Sequence, residues 1–219
     1  MKHTNWKQDF YSRIEPIAMR DPLAAVLGAT EDGETIYYYF TDCVKLAGHA
    51  CASVSCAFEM TRLALKELYC EDTPERGGIE VRFAGDAATG ANGPIGQVIQ
   101  FITGAAAETG FHGLGGKYGR DNRFIFDETI DRQDAPIAAR FKRTDTGEEV
   151  AVRANPGRVP MTDEEIGYSG HMQKVVANTA SPDEREKFYI YWQGKNRKIL
   201  LDNVPGVFTV ERIRKDVEG

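Results

Sequence analysis

The sequence predicts an α+β fold, and three patterns along the chain predict it. Residues 78–83 alternate apolar and polar side chains with a period of two, as a half-buried strand does. Two longer segments, after residue 51 and after Pro94, carry apolar residues at helical spacing. Residues 123–153 are rich in strand signals, and the segment after them carries helix-start signals.

The first part of the chain predicts two helices and a strand. Apolar residues at helical spacing predict a helix within residues 4–20. A short second helix is predicted at 21–28, because Asp21 is a natural N-cap and Gly28 can end a helix. β-branched and aromatic residues at 35–40 predict a strand.

The middle of the chain predicts two longer helices. The first is expected to run to Tyr69 on a single apolar stripe, and the second to run from Pro94 to near Gly110. The second helix is rich in glycine and alanine, which let another backbone approach closely. We therefore expect close packing on this helix and a homodimer.

The remaining elements are predicted from turn and capping signals. Both late helices begin with Ser or Thr followed three residues later by Glu, which is a capping-box pattern. The predicted elements are strands at 123–127, 136–143, 148–153 and 207–210 and helices at 163–177 and after Ser181. We expect an α+β core domain at 1–160 and a C-terminal helical extension at 161–219 packed on it.

Composition bounds the classes of function. The 219-residue chain has a net charge of −6, which argues against nucleic acid and anionic membranes as partners. No apolar run reaches the roughly 20 residues needed to span a bilayer, and no apolar signal core follows Met1. We therefore expect a cytoplasmic protein that acts on a small molecule. The four cysteines include no C-x-x-C pair, so thiols or metal ligands are favoured over disulfides.

Residues 42–51 bring one histidine and two cysteines together ahead of a predicted helix. His49 offers an imidazole and Cys51 a thiol, and both groups suit a soft or borderline metal. Cys51 lies at the predicted helix start, where unpaired N–H groups and the helix dipole favour a thiolate. We predict His49 and Cys51 as metal ligands; the alternative is a buried histidine beside a core cysteine.

A zinc site needs more than two protein ligands, so a third is expected elsewhere. His112 is the best candidate, because it lies in the glycine-rich stretch that follows the second long helix. The alternative for His112 is a loop histidine in solvent. Asp42, Cys43 and Asp86 are weaker candidates, and Cys56 is expected in the core because it faces away from Cys51 on the helix.

The glycine-rich stretch itself suggests a second kind of site. Glycines free N–H groups to point at an anion, and Lys117 and Arg120 add positive charge, so both are candidate ligand-binding residues. The stretch is not a P-loop, since no Ser or Thr follows Gly116-Lys117 and no strand precedes it. The alternative is a flexible connection between a helix and a strand.

These motifs together resemble the FmdE family, named for a protein encoded beside formylmethanofuran dehydrogenase. Over residues 20–150, Gly48-His49-Ala50-Cys51 follows an aromatic strand, Ile102-Thr103-Gly104 follows on the second long helix, and glycine-rich sequence with Lys117 comes next. The resemblance implies a thioredoxin-like core with a mixed sheet flanked by helices. It also implies a zinc-binding active site around the His-x-Cys segment.

The chain departs from the family pattern at three places. Ala52-Ser53 stand where the family has Pro-Gly, and Ala105 stands where it often has a cysteine. His112 is our candidate to replace that thiol. No cysteine follows Cys70, so the C-terminal zinc finger of some members is not expected here.

The expected function is therefore that of a metal-binding protein, with a divalent metal, zinc foremost, acting on a small molecule in one-carbon or cofactor metabolism. The alternative is a non-catalytic binding or trafficking module for a metal or haem, with His49 and Cys51 as axial ligands. A redox thiol protein that uses Cys51 with Cys43 or Cys56 is a third possibility, and the missing C-x-x-C counts against it.

Overall fold

The fold is α+β, as predicted, in a computed structural model that describes residues 2–213. A five-stranded mixed sheet and a two-stranded sheet are combined with seven α-helices within those residues. The strands are β1 (Ile17–Arg20), β2 (Thr35–Tyr38), β3 (Ile79–Ala84), β4 (Phe124–Asp127), β5 (Ile137–Arg143), β6 (Glu149–Ala154) and β7 (Phe208–Ile213). The helices are α1 (Pro22–Val26), α2 (Phe40–Ala47), α3 (Ala52–Tyr69), α4 (Asn92–Thr103), α5 (Asp163–Tyr168), α6 (Met172–Val176) and α7 (Pro182–Leu201).

The larger sheet has the order β4-β3-β5-β6-β7. β3 and β4 are parallel and are connected through α4, whereas the other neighbours are antiparallel. The predicted hairpin of β5 and β6 is confirmed, and it turns at residues 144–147 with Gly147 at φ 68°. β7 forms the edge strand beside β6, so residues after 160 contribute to the sheet itself.

α3 lies at the centre of the core. It packs on β6 and β5 of the larger sheet and against α4 and α7. The predicted apolar stripe is confirmed, because each of its members is buried: Val54, Ala57, Phe58, Thr61, Ala64, Leu65 and Leu68. Cys56 lies among them with no exposed surface, as expected for a core cysteine. The class predicted from the sequence is thus present, while the thioredoxin-like description stays a prediction.

The predicted helix within residues 4–20 is wrong. The chain forms a short 3-10 turn at Asp9–Arg13 and then the strand β1, which pairs with β2. Pro16 explains the difference, since it has no N–H to donate and disfavours helical geometry at Glu15. Strand pairing beyond this proline outweighed the helical spacing of the apolar residues.

Two helix bounds also differ from the sequence predictions. Residues 40–47 form α2, where a strand end and then a loop were expected, and Asp42 caps it by accepting a hydrogen bond from the Tyr39 N–H at 3.0 Å. α4 ends at Thr103 instead of near Gly110. Gly104 takes the left-handed conformation, φ 72°, which ends the helix.

The C-terminal segment is helical in pieces. Both predicted capping boxes are confirmed: the Glu165 N–H donates to Thr162 Oγ1 at 3.1 Å, and the Glu184 N–H donates to Ser181 Oγ at 3.2 Å. The predicted helix at 163–177 is divided into α5, a 3-10 turn and α6. α7 packs on α3, and no helix between residues 2 and 213 is long and apolar enough to cross a membrane.

The small residues of α4 serve a contact inside this chain. A Cβ at Gly96 would lie 3.0 Å from the rings of both Phe124 and Phe126, so β4 approaches α4 closely there. The close packing predicted for this helix is thus made with a neighbouring strand. The homodimer expected from the same residues stays a prediction.

Candidate functional site

The His-x-Cys segment lies in the link between α2 and α3. Gly48 ends α2 in the left-handed conformation, φ 74°, and Cys51 is the N-cap residue of the 18-residue α3. His49 is exposed, whereas Cys51 is half-buried and its side chain caps nothing. Trp192 of α7 fixes the link by donating its indole N–H to the Ala50 carbonyl at 2.7 Å.

One ring nitrogen of His49 is already engaged. Nδ1 lies 2.9 Å from the carbonyl oxygen of Ala47, and because a carbonyl only accepts, Nδ1 carries the hydrogen. The neutral ring therefore keeps its lone pair on Nε2. Metal-ligating histidines commonly have this arrangement, with the second nitrogen bonded to a carbonyl or carboxylate.

His112 lies in a different environment. Its side chain is 77% exposed, and Nδ1 lies 3.1 Å from Asp121 Oδ2. The hydrogen bond from His112 is the main cause that lowers the pKa of Asp121 below its usual value. Between residues 2 and 213, no group of three or more His, Cys, Asp or Glu side chains is arranged to hold a metal ion. The structure therefore does not gather His49, Cys51 and His112 into one three-ligand group.

The weaker candidates have other partners or positions. Asp42 caps α2 and forms an ion pair with Lys45 at 2.9 Å. Asp86 accepts hydrogen bonds from the Ala88 N–H and from the Thr89 hydroxyl. Cys43 is completely buried in α2, and burial raises its pKa to about 12. These three residues stabilise local structure.

The glycine-rich stretch is an ordered hairpin. Leu114 and Lys117 exchange backbone hydrogen bonds of 2.8 and 3.0 Å across Gly115 and Gly116, which lie at φ 58° and 77°. Two central residues with positive φ are typical of a type I′ turn, and glycine suits both positions. The N–H groups of Leu114 and Lys117 are thus used within the hairpin.

Arg120, at the base of this hairpin, is held by Asp21. Arg120 Nη2 donates to Asp21 Oδ1 at 2.6 Å, and Arg76 Nη1 donates to Asp21 Oδ2 at 3.2 Å. Arg76 also donates to the carbonyls of Phe101 and Ile102 in the last turn of α4. One carboxylate therefore fixes two arginines whose side chains are only 12% and 18% exposed.

Asp21 has two functions, because it also caps α1. Its Oδ1 accepts hydrogen bonds from the N–H groups of Leu23 and Ala24. Burial acts to raise the pKa of Asp21, but the hydrogen bonds from Arg120, Ala24 and Arg76 and the charge of Arg120 bring it below its ordinary value. Asp21 is therefore a carboxylate at neutral pH.

These arginines line a cavity of about 320 Å³, which we call the cationic cavity. Its walls include four basic side chains, Arg76, Lys117, Arg120 and Arg123, and one acidic side chain, Glu75. Within residues 2–213, Lys117 and Arg123 form no ion pair, and Arg123 donates to the Gly77 carbonyl. The structure thus brings together both predicted ligand-binding residues, Lys117 and Arg120.

Sequence reasoning missed three participants of this cavity. Arg76 lies far from the hairpin in sequence, Arg123 was identified only as the first residue of the predicted strand at 123–127, and Asp21 was identified only as a helix cap. Asp21 and Arg120 are separated by 99 positions, so no local pattern marks their ion pair. Only the fold brings them together.

The comparisons with known proteins leave the family open. Neither any family model nor any curated protein matches this chain. The Thr103-Gly104 pair of the FmdE resemblance ends α4: Thr103 Oγ1 donates to the Ile99 carbonyl at 2.7 Å, and Gly104 is the left-handed cap. The FmdE resemblance, with the zinc site it implies, therefore stays a prediction.

Proposed function

We propose that this protein binds a small anionic molecule in the cationic cavity. One observation carries the proposal: four basic side chains and a single acidic one line a cavity in a chain whose net charge is −6, and the basic side chains still outnumber the acidic ones by two when Asp21, the partner of Arg76 and Arg120, is counted. A concentration of positive charge in a cleft of an acidic protein focuses the potential there and attracts anions. The volume, about 320 Å³, lies within the usual range of small-molecule sites.

The arginines are preorganised for this task. Asp21 holds Arg76 and Arg120 in place, so binding an anion costs less side-chain entropy than it would with free side chains. A guanidinium group presents planar paired donors that match a carboxylate or a phosphate. Arg120 donates to Asp21 through Nη2, whereas Arg76 already uses all three of its nitrogens within the protein and contributes charge alone. Lys117 and Arg123 form no ion pair between residues 2 and 213, which leaves their charge for a ligand.

A larger neighbouring cavity of about 360 Å³ suits an anion less well. Its two arginines are Arg20 and Arg143, and Asp72, Glu75 and Asp145 lie on the same walls. Arg143 forms two hydrogen bonds with Asp145, at 3.0 and 2.6 Å, and its guanidinium lies 4.2 Å from the centre of the Tyr69 ring. The positive charge of Arg143 is therefore already balanced by Asp145.

Titration calorimetry at constant ionic strength tests the proposal, with inorganic phosphate and with butyrate as separate probes. Wild type is expected to bind one of them. Lys117→Ala is expected to weaken binding about tenfold, because one charge-assisted hydrogen bond is lost. Lys66→Ala removes an exposed lysine that does not line the cavity and serves as the control. No binding to wild type, or equal binding by Lys117→Ala, would refute the proposal.

A second candidate function is metal binding at His49 and Cys51. The Nδ1–H of His49 is bonded to a carbonyl, which leaves Nε2 as a ligand atom, and the half-buried thiol of Cys51 is two residues away at the start of α3. A divalent metal held there, zinc foremost, would act as a Lewis acid on a bound small molecule. Two protein ligands leave the other coordination positions to groups outside this pair.

Metal analysis of the purified protein tests this candidate. Wild type is expected to carry zinc, and His49→Ala and Cys51→Ala are each expected to lose it, while His112→Ala shows whether that exposed histidine takes part. Retention of full metal by both the His49 and Cys51 variants would refute the assignment. The haem alternative predicts a visible absorption band after haem is added, and this band should be lost in His49→Ala.

A further inference from the structure

Glu75 lies where the cationic cavity meets a second cavity of opposite character. The second cavity, of about 230 Å³, shares Pro22 and Glu75 with the first, and we call it the acidic cavity. Its charged wall residues are Arg20, Asp21, Glu31, Asp32, Glu34 and Glu75. The charge of the walls therefore changes sign across Glu75.

The backbone holds Glu75 firmly at this boundary. The Arg20 N–H donates to the Pro74 carbonyl at 2.9 Å, and the Arg76 N–H donates back to the Arg20 carbonyl at 2.8 Å. Glu75 thus lies between two backbone hydrogen bonds that join its neighbours Pro74 and Arg76 to Arg20, the last residue of β1. Its side chain is exposed and forms no ion pair within residues 2–213, even though Arg76 is its neighbour in sequence.

A simple anion leaves the charge of Glu75 in this arrangement without a partner. An unpaired carboxylate on the wall of the cationic cavity repels any anion that occupies it. A ligand that carries a cationic group beside its anionic group removes this conflict, because the cation lies against Glu75. The acidic turn formed by Glu31, Asp32 and Glu34 lines the acidic cavity together with Glu75 and adds to the negative potential that attracts the cationic group.

We infer that the ligand is a zwitterion, whose anionic group lies between Lys117, Arg120 and Arg123 and whose ammonium group faces Glu75. The inference rests on the proposed anion-binding function and adds the class of ligand to it. Glu75 is then the residue that selects for the positive group, while the basic side chains bind the negative one.

Paired probes test the inference by titration calorimetry at constant ionic strength. Phosphoethanolamine is compared with ethyl phosphate, and 4-aminobutyrate with butyrate, so that the two pairs separate phosphate from carboxylate ligands. In the pair that binds, wild type is expected to prefer the member with the ammonium group by about threefold to fivefold, as for an exposed ion pair. Glu75→Gln should abolish the preference and should bind the plain anion at least as tightly as wild type. Glu71→Gln, a nearby exposed change outside both cavities, should keep the preference.

The possible outcomes separate the two proposals. If the plain anion binds and its ammonium counterpart binds no more tightly, the zwitterion is excluded and anion binding stands. The same conclusion follows if Glu75→Gln keeps the preference of wild type. If no probe of either pair binds wild type, the anion-binding function fails and the zwitterion inference fails with it.

Discussion

Replacing Asp21 with Asn tests whether one buried carboxylate holds the walls of the cationic cavity. Asn keeps the ability to cap α1 but removes the charge that Arg76 and Arg120 share. Losing one partner of a buried ion pair costs about 3–5 kcal/mol. The arginines are 18% and 12% exposed, and Arg76 keeps its bonds to α4, so we expect about 2–4 kcal/mol.

Urea unfolding followed by circular dichroism at pH 7 measures this loss of stability. In a chain of this length, each kcal/mol lowers Tm by about 2–4 °C, so a thermal melt gives an independent check. Asp21→Ala should cost about 1 kcal/mol more, because the cap of α1 is lost as well. Asp145→Asn is the control: Asp145 is bonded to Arg143 but is 61% exposed, and its loss should cost less than about 1 kcal/mol.

The pH dependence of the penalty follows from the pKa of Asp21. This pKa is lowered in the folded protein, so the carboxylate stabilises the fold fully above its unfolded value of 3.8. The stabilisation is lost as the pH falls through the folded pKa. The Asp21→Asn penalty should therefore be the same at pH 5 and pH 7 and should shrink below pH 3.8. A variant as stable as wild type at pH 7, within about 0.5 kcal/mol, would show that Asp21 does not hold the two arginines.

Three further predictions concern the cysteines, α4 and the link between α2 and α3. Burial raises the pKa of Cys43 and Cys56 to about 12, so a thiol reagent at pH 8 should modify only Cys51 and Cys70 in the folded protein and all four cysteines after unfolding. Rapid reaction of a third thiol in the folded protein would contradict this. Gly104→Ala should lose at least about 1–2 kcal/mol of stability in urea unfolding, because φ is 72° and the new Cβ would lie 2.9 Å from Arg76. Gly167→Ala is the control, because a Cβ at this position in α5 meets no atom within 4 Å, and it should be no less stable than wild type. Trp192→Phe should cost about 1 kcal/mol, because the hydrogen bond to Ala50 is lost, and Tyr191→Phe beside it should be nearly neutral; equal stabilities would refute the role of the indole N–H.

Predictions from periodicity succeeded where one element decides its own structure. The stripe of α3 was readable because its side chains repeat at helical spacing and face a single core. The cap of α1 could be predicted from the sequence because Asp21 and Pro22 act within one turn of helix. The α+β class follows from such local patterns.

Predictions that needed one element to meet another were less successful. Phe10, Ile14 and Ile17 have helical spacing, but Ile17 belongs to a strand because β2 offers it a partner. The cationic cavity depends on Asp21 meeting Arg120, and nothing in either local sequence marks that contact. Lys117 and Arg120 were identified from their glycine-rich surroundings, while Arg76 and Arg123 became visible only in three dimensions.

The position of β7 at the edge of the sheet has a consequence for folding during synthesis. β6 is paired with β5 alone until residues 208–213 leave the ribosome. In the finished sheet Glu149 of β6 lies opposite Ile213 of β7, although α5, α6 and α7 separate the two strands in sequence. A nascent chain that stops before β7 presents an open strand edge bearing Val150 and Val152, and such edges recruit other chains. Chains interrupted between α7 and β7 should therefore be the ones that aggregate and that chaperones retain.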